Sequence, residues 1–138
     1  MITYLDSSVV LDRILDEPAS VALWRGIDQA VCSVLLETEC LRAIDRFRIL
    51  GMMNEVALVR SREVLFTILA SSEIVEVGRP ILDRAAMPFP VVIRTLDAIH
   101  LATALIYRES TGPLRMATTD RALARASRAM GIEVVGAT

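Results

Sequence analysis

Short apolar, β-branched runs alternate along this chain with longer stretches whose apolar residues recur at helical spacing. The first run, residues 2–6, predicts a strand that ends on Asp6. Ser7 or Ser8 can then cap a short helix through Leu15. Pro18 suits the first turn of a helix that continues over 19–27. Residues 30–33 predict a second strand. A long helix begins at Ser33 and runs to about Leu50, where Gly51 ends it. Asn54 opens a helix to about Ala70, and residues 74–77 predict a third strand. Pro80 starts a short helix to Ala86, and Pro88 and Pro90 mark a loop. The largely apolar segment over 96–107, LDAIHLATALIY, predicts a central helix. Gly112-Pro113 turns the chain into a fourth strand over 115–118. Asp120 caps a helix through Met130, Gly131 closes it, and residues 133–135 predict a last strand. This alternation is that of a parallel α/β domain, and no repeat, low-complexity tract or linker divides residues 1–138.

Composition narrows the picture. A chain of 138 residues suits a single domain, yet 54% of it is hydrophobic and mean hydropathy is +0.49. A small domain cannot bury so much, so some apolar residues are expected to face a partner, a second copy or another protein. No apolar run reaches the roughly 18 residues of a membrane span, and the start lacks the pattern of a signal peptide. A cytoplasmic protein with no membrane partner is the expectation. The net charge of −2 lacks the basic footprint of a protein held on nucleic acid by charge alone. All 15 basic residues are Arg, which suits phosphate contacts and equally suits genomic composition bias. Cys32 and Cys40 lack metal-ligand spacing and read as buried free thiols.

The candidate chemistry lies in four acids. Asp6 ends the first strand, Asp120 follows the fourth, Asp97 opens the central helix, and Glu39 lies among apolar neighbours in SVLLETECLRA. Ligands of open α/β sheets bind beyond the carboxyl ends of the strands. Taken singly, Asp6 and Asp120 could cap helices, Asp97 could serve the helix dipole, and Glu39 could pair with Arg42 or Arg46. Taken together, gathered acids would repel one another unless a hard divalent cation joins them. Mg²⁺ or Mn²⁺ in such a cluster supports phosphoryl chemistry.

These residues carry a resemblance. YLDSS with Asp6 and Ser8, Ser33 with Glu39 six residues on, LDAIHLATA with Asp97, and TTDRALARASRAMG with Thr118 and Asp120 occur in order over almost the whole chain. In this the chain resembles a PIN domain, and most closely the VapC toxin nucleases of bacterial toxin–antitoxin pairs. The resemblance implies a Rossmann-like, three-layer α/β fold with a central, mainly parallel sheet. It implies a Mg²⁺- or Mn²⁺-dependent endoribonuclease that uses metal-activated water, leaves a 5′-phosphate, and is inhibited by a cognate antitoxin. A homodimer is expected as well. Asp6, Glu39, Asp97 and Asp120 match the family's acidic quartet, and Ser8 and Thr118 match the hydroxyl positions beside it. Asp6 and Asp97 are then the first choices for direct metal contact. Asp120 would bind through water or form a second metal site. Glu39 would be a ligand or orient the attacking water.

Helical spacing puts Arg42 and Arg46 on the Glu39 side of their helix, where they could hold RNA phosphates or an antitoxin segment, or merely form intrahelical ion pairs. His100, the only histidine, can share a face with Asp97. It reads as a satisfied core residue ahead of a base or ligand. Trp24 and Met52-Met53 read as core or interface. Few aromatic residues are available for base stacking, so shape and phosphate contacts should dominate RNA binding. Three other functions remain open: an RNA-processing nuclease without an antitoxin, an aspartate-based phosphatase, and a non-catalytic binding module. The phosphatase is disfavoured by Ser8 in its D-x-D motif and by the lack of any Lys.

Overall fold

The structure is a computed structural model that describes residues 1–137. Its strands are β1 (Ile2–Leu5), β2 (Gln29–Ser33), β3 (Ser72–Val75), β4 (Leu114–Thr118) and β5 (Glu133–Gly136). Its helices are α1 (Ser7–Ile14), α2 (Pro18–Arg25), α3 (Leu35–Ile49), α4 (Glu55–Ala70), α5 (Arg79–Ala85), α6 (Thr95–Thr111) and α7 (Arg121–Ala129). The strands form one sheet in the order β3-β2-β1-β4-β5, and every neighbouring pair is parallel. The chain therefore starts at the centre, builds outward through β2 and β3, then returns to the other side of β1. The reversal lies between β1 and β4, where open α/β sheets form their crevice.

Successive strand residues point to opposite faces, and this splits the core in two. Leu5, Cys32 and Ala117 face a core completed by Val10 of α1, Leu36 and Ile44 of α3 and Leu65 of α4. Tyr4, Val31 and Met116 face the other, with Leu101 and Leu105 of α6 and Leu123 of α7. Each fully buried Leu stabilises the fold by about 1.5–3 kcal/mol. The result is the expected three-layer architecture. Cys32 and Cys40 are free and buried, and burial pushes their thiols up to about 11 and about 12. No described helix is long and apolar enough to cross a membrane.

Several boundaries differ from the sequence reading. The third strand is Ser72–Val75 rather than 74–77, because parallel pairing to β2 sets Cys32 opposite Ile74 and Ser33 opposite Val75. The central helix runs a further turn, to Thr111, and stops at Gly112, whose φ of 111° ends the helical path. Ser33 is the last residue of β2, and its hydroxyl accepts from the Leu35 N–H at 3.1 Å. Asn54 caps α4 as expected, accepting from the Ala57 N–H at 2.8 Å.

Candidate metal centre

Asp6 stands one residue beyond β1. Its N–H donates to the Ala117 carbonyl at 3.0 Å, which carries the β1–β4 ladder to the acid itself. The Asp6 side chain makes no capping hydrogen bond to α1. Its Oδ2 instead accepts from Ser8 Oγ at 2.6 Å and from Thr118 Oγ1 at 2.8 Å. Neither Ser7 nor Ser8 caps α1. Ser8 spends its proton on Asp6 and accepts from the Thr119 N–H at 3.0 Å. Thr118 accepts from the Asp120 N–H at 3.0 Å, and so ties both strand ends together.

Asp120 does cap a helix. Its Oδ1 accepts from the N–H groups of Ala122 and Leu123, at 2.8 and 3.1 Å. One oxygen serves the cap, and Oδ2 has no such bond among the described residues. Capping and ligation are therefore compatible at this residue.

Glu39 lies in the second turn of α3 and does not pair with arginine. Its Oε1 is 2.6 Å from His100 Nε2, and His100 Nδ1 is 2.7 Å from the Tyr4 hydroxyl. His100 is a fully buried core residue, as expected, but its ring edge reaches the acid group. Burial opposes a charge on this imidazole. The Glu39 hydrogen bond and the neighbouring carboxylates outweigh it and raise the pKa. Arg42 bonds to Asp45 at 3.1 Å instead of Glu39, so it is an intrahelical ion pair on an exposed side chain. Arg46 is exposed.

Asp97, in the first turn of α6, senses the whole cluster. Burial pushes its carboxyl up to about 6, the charges of Asp120, Asp6 and Glu39 add to the rise, and His100 opposes it. Among the described residues no Arg pairs with any of these four acids. Ligand atoms of Asp6, Glu39 and His100 lie within 4.8 Å of one another. Each of Asp6, Glu39 and Asp120 has one oxygen taken by a protein donor, which leaves the other for a cation. Hard oxygen donors, excess negative charge and fixed carboxylates fit Mg²⁺ or Mn²⁺.

Tyr4 was not legible as part of this site. Its place in YLDSS, two residues before Asp6 and on the same side of β1, was the available signal. An open apolar groove between α5 and α6, lined by Leu82, Met87, Phe89 and Ala98, runs up to the turn that carries Asp97.

Residues 3–129 match the PIN domain family. Ribonuclease VapC46 of Mycobacterium tuberculosis is 34% identical over 136 residues, which cover 96% of this chain and 95% of that protein. A toxin–antitoxin complex from Klebsiella pneumoniae contains a similar chain, with a TM-score of 0.68 and 19% identity over 97% of this chain and 96% of that one. PAE2754 from Pyrobaculum aerophilum gives a TM-score of 0.65 and 19% identity over 98% of this chain and 84% of that one. The two structures establish a shared fold.

Proposed function

The chain belongs to the PIN-domain family, and on that footing we propose that it is a Mg²⁺- or Mn²⁺-dependent endoribonuclease, the toxin of a toxin–antitoxin pair. The observation that carries the reading is the gathering of acids at the β1–β4 crevice. Ligand atoms of Asp6, Glu39 and His100 lie within 4.8 Å of one another there, and Asp97 and Asp120 add their charge. No arginine pairs with any of the four acids among the described residues. Such a cluster is costly to fold and is relieved by a bound divalent cation. The ribonuclease name of the mycobacterial relative and the toxin–antitoxin assembly of the Klebsiella neighbour support the same reading.

Asp6 and Asp97 would hold the ion, with Asp120 in support through the carboxylate oxygen that its helix cap leaves over. Ser8 and Thr118 hold Asp6 Oδ2 and so fix the carboxylate, whose Oδ1 would be left for the cation. A bound divalent cation lowers the pKa of water and neutralises charge on the scissile phosphate. Glu39, whose Oε1 is held by His100, would use its second oxygen to accept a hydrogen bond from the attacking water. Arg42 and Arg46, exposed on α3, contact the RNA backbone. The antitoxin and a second copy of the chain are the protein partners. Exposed apolar residues such as Val56, Val59 and Phe66 of α4 support such contacts.

The test is cleavage of total RNA by the purified, antitoxin-free chain with Mn²⁺ or Mg²⁺. Parallel samples contain EDTA or the Asp6→Ala protein. Cuts at a few positions that vanish in both controls are expected. Cleavage that survives both controls would refute the mechanism. The stability side is read by melting: Mn²⁺ should raise the melting temperature of wild type and not of Asp6→Ala.

A further inference from the structure

We propose that Tyr4 and His100 form a buried positioning pair that presents Glu39 to the acid cluster through the Nε2–H of His100. The inference deepens the ribonuclease reading and rests on it for its activity arm. Glu39 extends from α3, whose apolar face packs in one core, while His100 and Tyr4 belong to the opposite side of the sheet. The bond between them therefore joins the two helical layers at the crevice. A carboxylate can only accept, so Nε2 carries the hydrogen. The Tyr4 hydroxyl occupies Nδ1 at 2.7 Å and fixes the ring in that orientation. The two rings meet edge to face, with centroids 5.9 Å apart and planes at 72°.

Packing alone does not call for this arrangement. Tyr4 and His100 are each 0% exposed, and apolar side chains there would need no partners. Instead both imidazole nitrogens are engaged, and the outer one meets a carboxylate whose second oxygen has no hydrogen bond among the described residues. Tyr4 is also two residues from Asp6 on the central strand. One strand thus sets the first acid directly and Glu39 indirectly, which fixes the distance between them. No arginine or lysine replaces His100 as the donor to Glu39 among the described residues. Residues that orient metal-site carboxylates through hydrogen bonds change affinity or activity by about 10–100-fold when removed.

The experiment compares wild type, Tyr4→Phe, His100→Gln and His100→Leu, each also in a Glu39→Gln background. Mn²⁺ affinity is read by electron paramagnetic resonance of free Mn²⁺, alongside melting temperature and single-turnover RNA cleavage. His100→Leu should weaken Mn²⁺ binding and slow cleavage about tenfold or more, with RNA affinity unchanged. His100→Gln keeps an N–H at the position of Nε2 and should recover most of both. With Glu39→Gln present, His100→Leu should add less than about twofold, since its route of action is gone. Equal defects in His100→Gln and His100→Leu would show a packing role only and overturn the proposal. So would a full additional loss on top of Glu39→Gln, or wild-type Mn²⁺ affinity in His100→Leu. Should His100→Leu fail to fold, Tyr4→Phe decides, because it removes a single hydroxyl. A several-fold loss of Mn²⁺ affinity is expected there, and an unchanged affinity overturns the pair. Wild type that binds Mn²⁺ and loses affinity in these variants, yet cuts no RNA, would sink the ribonuclease reading alone. Wild type that binds no Mn²⁺ would sink both.

Discussion

Thr118 donates its hydroxyl to Asp6 Oδ2 at 2.8 Å across 112 positions of sequence, and Thr118 Oγ1 in turn accepts from the Asp120 N–H. This one side chain orients the central acid and anchors the start of α7. Thr118→Val would leave the Asp120 N–H and the Asp6 carboxylate each short of a partner. The expected cost is about 1–3 kcal/mol of stability by thermal unfolding. Cleavage should slow about 10–100-fold in single-turnover kinetics, and Thr118→Ser should restore most of it.

Gly136 pairs with Thr118 across the β4–β5 ladder at φ +99°. A Cβ there would stand 2.8 Å from the Thr118 carbonyl oxygen and 3.1 Å from Leu23 Cδ1. Neither the backbone angle nor the space admits a side chain. Gly136→Ala should destabilise the fold by about 1–3 kcal/mol, seen as a lower melting temperature, and weaken the Mn²⁺ response as Thr118 shifts. An unshifted melting curve would count against this packing.

Asp97 ties stability to pH. Its carboxyl titrates at about 6 in the folded chain, against an ordinary value of 3.8. The folded state thus holds the proton more tightly between those values. Stability from this group falls as pH rises through that window and stays reduced at neutral pH. Asp97→Asn should raise the metal-free stability at pH 7.5 by about 1 kcal/mol after allowance for solvent screening. That corresponds to about 3 °C. Mn²⁺ must displace the proton, so Mn²⁺ affinity of wild type should rise as pH climbs through about 6. Thermal melts at pH 5 and 7.5, with and without Mn²⁺, check both signs. An Asp97→Asn protein that keeps the full Mn²⁺ shift would remove Asp97 from the ligands.

Arg42 is exposed and bonds only to Asp45 among the described residues. Arg42→Ala should therefore change stability by less than about 0.5 kcal/mol. RNA affinity should fall several-fold with Mn²⁺ binding intact. Unchanged RNA affinity in a filter-binding titration would leave the residue a surface ion pair.

The α/β alternation was legible because most strands and helices carry clear apolar periods and punctuation. Asn54 before α4 and Asp120 before α7 are capping signals that the fold uses as written. β3 was displaced because it is an edge strand whose residues are half-buried or exposed, so its apolar pattern does not mark its ends. α6 starts without a side-chain cap at Arg94, so no local signal fixed its first residue. The acids were legible by motif, and the proximity of β1 and β4 followed from the fold. The bond from Glu39 to His100 was not, because it spans 61 positions and two layers of helices. Asp97 and His100 share a helix face, which hinted at the neighbourhood without naming the partner.

The return of the chain across β1 also sets a schedule. Asp6, Glu39 and Asp97 all precede in the chain the strand that braces Asp6. Until β4 is laid beside β1, the first acid has neither Thr118 nor the Ala117 carbonyl to hold it. A growing chain therefore carries three of its four acids as unassembled parts. The brace and the fourth acid are complete only once the segment through Asp120 has emerged and docked, so a chain cut short before that point lacks both.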